Sequence, residues 1–296
     1  MKLCMLIRRN LALFFNNRMN ILLSVASIGV VVCLYAVFLR DFMLDFVSQC
    51  GVSEDYVDLF TDRIMLAGLL PVVSTTTSFG MVQLYVADEE KGVSRDFLTS
   101  PVSPSMLISG YWLSGGFVSS LFTFAAFWCG EIYFRADYDN ALMPEVILKT
   151  TAFIIFSGFI NSALVLALTK GMKNTATFAT FANLYGTLSG FLAGSYLPYS
   201  FYPSWLKPIL FFYPPAQLAS LFRQFVITEI KGELFFAYGI LDNFLCKLGV
   251  LLKFDGSIVS VSTQTAVLAG AAVILVAFLW IGRKNRRLFP IHNKHK

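Results

Sequence analysis

Charge along this chain is segregated into blocks, and that constrains its fold more than any other feature. No Asp, Glu, Lys or Arg occurs in 19–39, 64–87, 97–130, 150–169, 174–206, 208–222 or 256–282. A helix needs about 20 apolar residues to cross a hydrocarbon core of about 30 Å. Six of the runs reach that length. The seventh, 208–222, is too short and holds Pro208, Pro214 and Pro215. Backbone groups in lipid are satisfied only within helices or closed barrels. The runs are solidly apolar and do not alternate, which excludes barrel strands. The chain therefore reads as an all-α polytopic membrane protein, with six transmembrane helices near 20–39, 64–86, 106–130, 150–169, 175–194 and 264–282. Charged residues are only 14% of the 296, well below the roughly 25% of soluble domains. A disordered chain, a secreted disulfide scaffold and a nucleic-acid-binding domain are excluded on the same ground.

The first 18 residues carry Arg8, Arg9 and Arg18 among apolar residues at near-helical spacing. Two readings stand. One is an amphipathic interfacial helix with its arginines at anionic headgroups. The other is a basic flank that sets orientation. Nothing there resembles a cleaved signal peptide. Lys and Arg in short loops mark the cytoplasmic side. One set of flanks holds Lys2, Arg8, Arg9, Arg18, Lys91, Arg95, Lys170, Lys173 and a basic tail from Arg283 to Lys296. The opposite short loops hold only Arg40, Arg63, Arg135 and Lys149. Both termini are expected inside and the 195–263 segment outside.

No catalytic constellation is present. The two histidines, His292 and His295, lie in the tail, and no CxxC or other metal-ligand spacing occurs. No P-loop exists, so the chain has no such site for ATP. Leu113-Ser114-Gly115-Gly116-Phe117 has the look of an ABC signature loop, but inside a charge-free run its small residues read as a close helix contact. Cys50 and Cys246 fall on the expected outer side, and their spacing does not demand a disulfide.

Within the runs, Ser74, Thr75, Thr76, Thr77 and Ser78 follow Pro71, and Asn161 and Asn183 stand alone. They either line a transport path or, for the hydroxyls, bond the helix's own carbonyls. The absence of acids in the runs argues against ion coupling and for energy supplied from elsewhere. Gly186, Gly190 and Gly194 recur every four residues, a close-packing face that serves either internal packing or a dimer. A secondary carrier would show intramembrane charges or matching halves. A membrane enzyme would need His, Asp or Glu clustered near an interface.

Two segments are more specific. Residues 87–105 combine Asp88, Glu89, Glu90, Lys91, a break at Gly92, Arg95 and apolar Phe97 and Leu98, which suits a short surface helix. Ser103-Pro104 then reads as the N-cap and first residue of the third span. Residues 189–217 are uncharged but for Lys207, aromatic and Pro-broken, as short helices dipping in from outside would be. Tyr199, Tyr202, Trp205 and Tyr213 are expected at the interface.

Glu89-Glu90-Lys91-Gly92 and Ser100-Pro101-Val102-Ser103 stand where ABC-2 type permeases carry Glu-(Lys/Arg)-Gly and a Thr/Ser-Pro-Val/Ile-Ser step. Gly190, Phe191, Pro198, Pro203, Trp205, Leu206, Ile209 and Pro214 follow that family's pattern before its last span. The chain resembles these membrane subunits of ABC exporters over nearly its whole length. It departs from them at Val93-Ser94-Arg95-Asp96 and over 223–263, to which the resemblance assigns no role. The resemblance implies a single transmembrane domain over 1–296: an interfacial helix (1–18), a cytoplasmic coupling loop (87–105) and an external re-entrant region (195–263). It implies a homodimer or heterodimer with two ABC ATPase subunits, which hold ATP and Mg while this chain holds no cofactor. Glu89, Glu90, Lys91, Gly92, Arg95, Phe97 and Leu98 would meet the ATPase, and the fifth span would lie near the dimer interface. The expected setting is a bacterial plasma membrane. The expected cargo is amphipathic: a drug, antimicrobial peptide, toxin or lipid.

Overall fold

The computed structural model describes residues 2–49, 54–93, 96–97, 102–138, 142–228, 240–254 and 257–284. Residues 229–239, with Leu234 to Tyr238, lie outside that set, as do Cys50, Ser94, Arg95 and Leu98. The described chain is an all-α membrane protein apart from one two-residue hairpin. Helix α1 (Lys2–Asn16) is followed by α2 (Arg18–Leu34), which passes through a π-helical turn (Tyr35–Leu39) into α3 (Arg40–Ser48). Then come α4 (Glu54–Glu90), α5 (Pro104–Tyr138), α6 (Pro144–Thr169) and α7 (Thr175–Leu192). Two short helices, α8 (Lys207–Phe212) and α9 (Pro214–Val226), precede α10 (Ile240–Leu248). The strands Lys253–Phe254 and Ser257–Ile258 pair antiparallel before α11 (Val261–Lys284).

Among the described residues, five helices are long and apolar enough to cross a membrane: Asn20–Ser48, Tyr56–Glu90, Pro104–Tyr138, Pro144–Thr169 and Val261–Ile281. They outrun the charge-free stretches because their charged ends are paired. Arg63 and Glu131, both buried, form an ion pair at 3.3 Å that joins α4 to α5. Asp62 collects Arg40 at 3.0 Å and the hydroxyls of Tyr35 and Tyr138. The π turn places Tyr35 and Arg40 on the same acid. Asp62 and Asp88 are 26 positions apart in one helix, about 39 Å. That is close to the thickness of a bilayer with its headgroups. α7, the fifth expected span, is not among the five. It has only 18 residues and carries Asn183, Tyr185 and four threonines.

Burial sorts the helices. In the apolar window of α4, 83% of residues are buried within the chain, against 7% for the α2–α3 helix and 17% for α11. α4, α5 and α6 form the core, and small residues let them approach. A Cβ on Gly116 would stand 2.3 Å from the Phe159 ring, and one on Gly158 would stand 2.2 Å from Ser120 Oγ. The Gly115-Gly116 pair is thus a helix contact, as its position within a charge-free run suggested. α1 presents Leu6, Asn10 and Phe14 to α5 and exposes Met5 and Leu13 on its other side, an amphipathic helix against the bundle.

α9 is the element that the run lengths left undefined. Tyr213-Pro214-Pro215 breaks the apolar stretch, and α9 then lies in the core against α4, α6 and α11, with every residue but Phe225 buried. Arg223 is wholly buried there. Its Nη2 donates to Gly194 O (2.6 Å), Nη1 to Leu248 O (3.2 Å) and Nε to Ile64 O (3.3 Å). This one side chain ties α4, the turn after α7 and the end of α10 to α9. The tyrosines expected at the interface are mostly interior. Tyr199 and Tyr202 are buried and bond Lys207 O and Phe191 O, and Tyr213 pairs with Tyr185 of α7 at 2.8 Å. Only Trp205, 69% exposed, is free to meet an interface.

Candidate coupling site

α4 stops where Gly92 turns left-handed (φ 76°), with Gly92 N–H on Glu89 O and Lys91 N–H on Ala87 O. α5 restarts at Pro104, where Ser103 Oγ accepts the Met106 N–H at 3.2 Å, the N-cap expected from the dipeptide. The intervening loop is held from three sides. Asp88, 7% exposed, accepts Arg9 Nη1 at 2.9 Å and the Tyr111 hydroxyl of α5. The same Arg9 nitrogen reaches Asn10 Oδ1, and the guanidinium lies 5.2 Å from the centre of the Phe97 ring. Burial works against the Arg9 charge. The hydrogen bond and charge of Asp88 outweigh it and hold the guanidinium above its ordinary range.

The third tie runs to α7. Glu90 Oε2 accepts the Thr175 N–H at 3.1 Å. Asn174 Oδ1 accepts from Ala176 and Thr177 at 2.8 and 3.1 Å. Together they satisfy the first three N–H groups of α7, and an acid at a helix N-terminus also meets its positive dipole end. The loop is therefore wired to α1 through Asp88 and Phe97, to α5 through Asp88, and to α7 through Glu90.

The structure redistributes the expected coupling residues. Glu90 and Lys91 are exposed, Glu89, Gly92 and Phe97 are half-buried, and Phe97 packs against its own chain. Arg95 and Leu98 lie outside the described residues. Tyr111, Asn174 and Thr175 were not singled out from sequence, and Asp88 and Arg9 were noted there only separately, not as a pair. Arg9 pairs with Asp88, while Arg8 and Arg18 are exposed.

The expected pathway residues are mostly interior. Ser74, Thr75, Thr77, Ser78 and Asn161 are wholly buried within the chain. Thr75, Thr76, Thr77 and Ser78 bond carbonyls three or four residues back. Ser74 instead meets Ser119 and Asn161, each at 2.9 Å, a knot joining α4, α5 and α6. It sits about 18 Å from Asp62 and about 21 Å from Asp88 along α4. Asn183 alone of the seven is exposed.

The glycine face of α7 turns inward. A Cβ on Gly190 would lie 2.1 Å from the Tyr196 ring, and Gly186 faces Thr76. Gly194 has φ 69° and forms the turn over Arg223. These glycines serve packing within the chain. The exposed stripe of α7 is the opposite one: Thr180, Asn183, Leu184, Thr187 and Leu188. Among the described residues no His, Cys, Asp or Glu cluster has the makings of a metal site.

Residues 1–226 match the family described as ABC-2 type transporter. No curated protein matches the chain.

Proposed function

Because the chain belongs to the ABC-2 type transporter family, of which it is a membrane permease, we propose that it is the permease of an ATP-driven exporter whose force enters at the 87–105 loop. The observation that carries this reading is the three-way wiring of that loop. Closure of two ABC ATPase subunits on ATP and Mg would push the loop, and Asp88, Phe97 and Glu90 would deliver the motion to α1, α5 and α7 together. Lys91, exposed beside these ties, would orient a partner. The test is to purify the chain from its own membrane and identify what comes with it. A P-loop ATPase is expected, and export from reconstituted vesicles should require it. Transport by the chain alone would replace this reading with that of a secondary carrier.

The cargo would pass between two permease copies. The α2–α3 helix is barely covered by its own chain, and the outer stripe of α7 shows polar Asn183 among apolar residues. An exposed amide in a membrane helix calls for a partner helix or a wet path. An amphipathic cargo, with an apolar body and a polar end, suits that surface. A cysteine at Leu188 is expected to cross-link two copies in the membrane; cross-linking through Gly190 and not Leu188 would reverse the face.

Six spans with both termini cytoplasmic are the proposed topology, α7 being the fifth. Single cysteines at Ser48 and Ser257 should label from outside intact cells and one at Ser94 should not. Labelling at Ser94 would invert the arrangement. Glu90→Ala removes one of the three bonds that cap the first N–H groups of α7. It should lower export per ATP hydrolysed while leaving the chain folded. An unchanged ratio would remove α7 from the coupling route.

A further inference from the structure

We propose that the π turn Tyr35–Leu39 is a two-register switch in the α2–α3 helix: Asp62 holds it in the π register, and its return to α geometry turns α2 on α4. α2 belongs to the surface assigned above to a second copy. The use of the switch, changing the face that one copy shows the other, rests on that reading; the existence of two registers does not.

The turn joins the two residues that share the acid. The Arg40 N–H donates to Tyr35 O, five residues back, where an α-helix would give it Ala36 O. Residues five apart lie about 140° from one another around an α-helix, too far round to meet one carboxylate. A π turn closes its ring at the fifth residue and brings the two to one side. Arg40 Nε then donates to Asp62 Oδ1 at 3.0 Å and Nη2 to Oδ2 at 3.3 Å, while the Tyr35 hydroxyl donates to the same Oδ1. Turns of this kind are rare and recur at functional sites. The joint grip of Tyr35 and Arg40 on one buried acid is what this one gains by leaving α geometry. With Arg40 alone on the acid, either register would serve.

The surroundings leave the turn free to change. Ala36, Val37 and Phe38 are exposed, so the described neighbours do not lock the extra residue in place. Beyond the turn, α3 is fixed by buried Met43 and Val47. Before it, α2 buries only Ser24 among its described side chains. Arg40 Nη2 also reaches Asp58 Oδ1 at 2.9 Å, and the Tyr138 hydroxyl also donates to Asp62, at 2.7 Å. When Tyr35 lets go, neither the arginine nor the acid is left bare. The Arg40 N–H then passes to Ala36 O, and α2 turns by about one residue's rotation, on the order of 100°.

The test is a disulfide that reads the register. A Cβ on Gly80 of α4 would stand 3.1 Å from Ser24 Oγ. Ser24→Cys and Gly80→Cys are therefore within bonding reach while α2 is unturned, and not after it turns. The pair is placed in a chain whose five natural cysteines are replaced by alanine. The chain is oxidised in lipid nanodiscs, and the thiols that remain are counted with a PEG-maleimide after denaturation. Neither the ATPase nor transport is needed, so the result stands apart from the proposed function. The pair should close rapidly in the otherwise unchanged chain. Tyr35→Phe loses only the hydroxyl and its bond to a charged acceptor, and cross-linking should slow by roughly tenfold or more. Deletion of Val37 takes out the extra residue. Tyr35 and Arg40 are then four apart, on one face of a plain α-helix, and α2 keeps its place with no second register to adopt. The deletion should restore rapid cross-linking to the Tyr35→Phe chain. Rapid cross-linking in Tyr35→Phe alone, or slow cross-linking in a folded deletion variant, would overturn the proposal.

Discussion

Arg223→Met is expected to cost the permease about 3 kcal/mol, lowering its melting temperature in detergent by several degrees and its yield in the membrane. Three hydrogen bonds from a charged donor are lost, each of which contributes about 1.5–3 kcal/mol. Two of the acceptors, Gly194 O and Leu248 O, sit at chain turns where no helical N–H replaces the guanidinium. Removing the arginine also removes its own desolvation cost, which is why the net falls well short of the sum. Arg223→Lys should not rescue, since one point charge cannot serve three carbonyls on three elements. Gly68→Val should act alike from the other side. A Cβ there meets Arg223 Nη2 at 2.4 Å and displaces it. Wild-type melting of both Arg223→Met and Gly68→Val would show that the three elements are held by their apolar contacts alone.

That clasp was not visible in the sequence, and the reason is physical. A lone Arg after an apolar run has the same local pattern whether it flanks a span or lies in the core. Arg223 takes its partners from positions 64, 194 and 248, and nothing near 223 announces them. The helices themselves were legible, because lipid forbids charge along a span and so writes span positions directly into the sequence. Their lengths were under-read at the Asp62 end for the converse reason. Asp62, Arg63 and Glu131 interrupt the apolar runs, yet Arg63 pairs with Glu131 and Asp62 with Arg40, which lets α4 and α5 continue.

The polar residues show how far local pattern reaches. Hydroxyls at Thr75 to Ser78 always have a carbonyl four residues behind them in a helix, so their back-bonding was one of two readings open from the start. Ser74 differs only because Ser119 and Asn161 arrive from other helices. The glycine spacing on α7 suggests a close-packed face, but pattern does not say which neighbour takes it; at Gly190 it is Tyr196 of the same chain. At the loop, Glu90 and Phe97 were legible as charge and knob. Arg9 was not, lying 79 residues from Asp88 with a headgroup reading equally consistent with its amphipathic helix.

The Arg9–Asp88 pair is where the largest functional effect is expected. Asp88→Asn leaves Arg9 facing a neutral side chain in a site only 7% exposed on the Asp88 side. Arg9 itself is 29% exposed, so water recovers part of the loss, and the weakening comes to about 2 kcal/mol. That is roughly thirtyfold in the equilibrium between α1 docked on the loop and α1 released. With α1 released, the loop still moves with the ATPase but no longer carries α1 along. Hydrolysis should continue while export falls by an order of magnitude or more, and the chain should still reach the membrane. Arg9→Gln should do the same, and the double variant should be no worse than either alone, because a broken tie cannot be broken twice. Export and hydrolysis measured together in vesicles decide the matter. If the two single losses multiply in the double variant, Arg9 and Asp88 act separately and the motion reaches α1 by another route, of which the Phe97 contact with Arg9 is the nearest at hand.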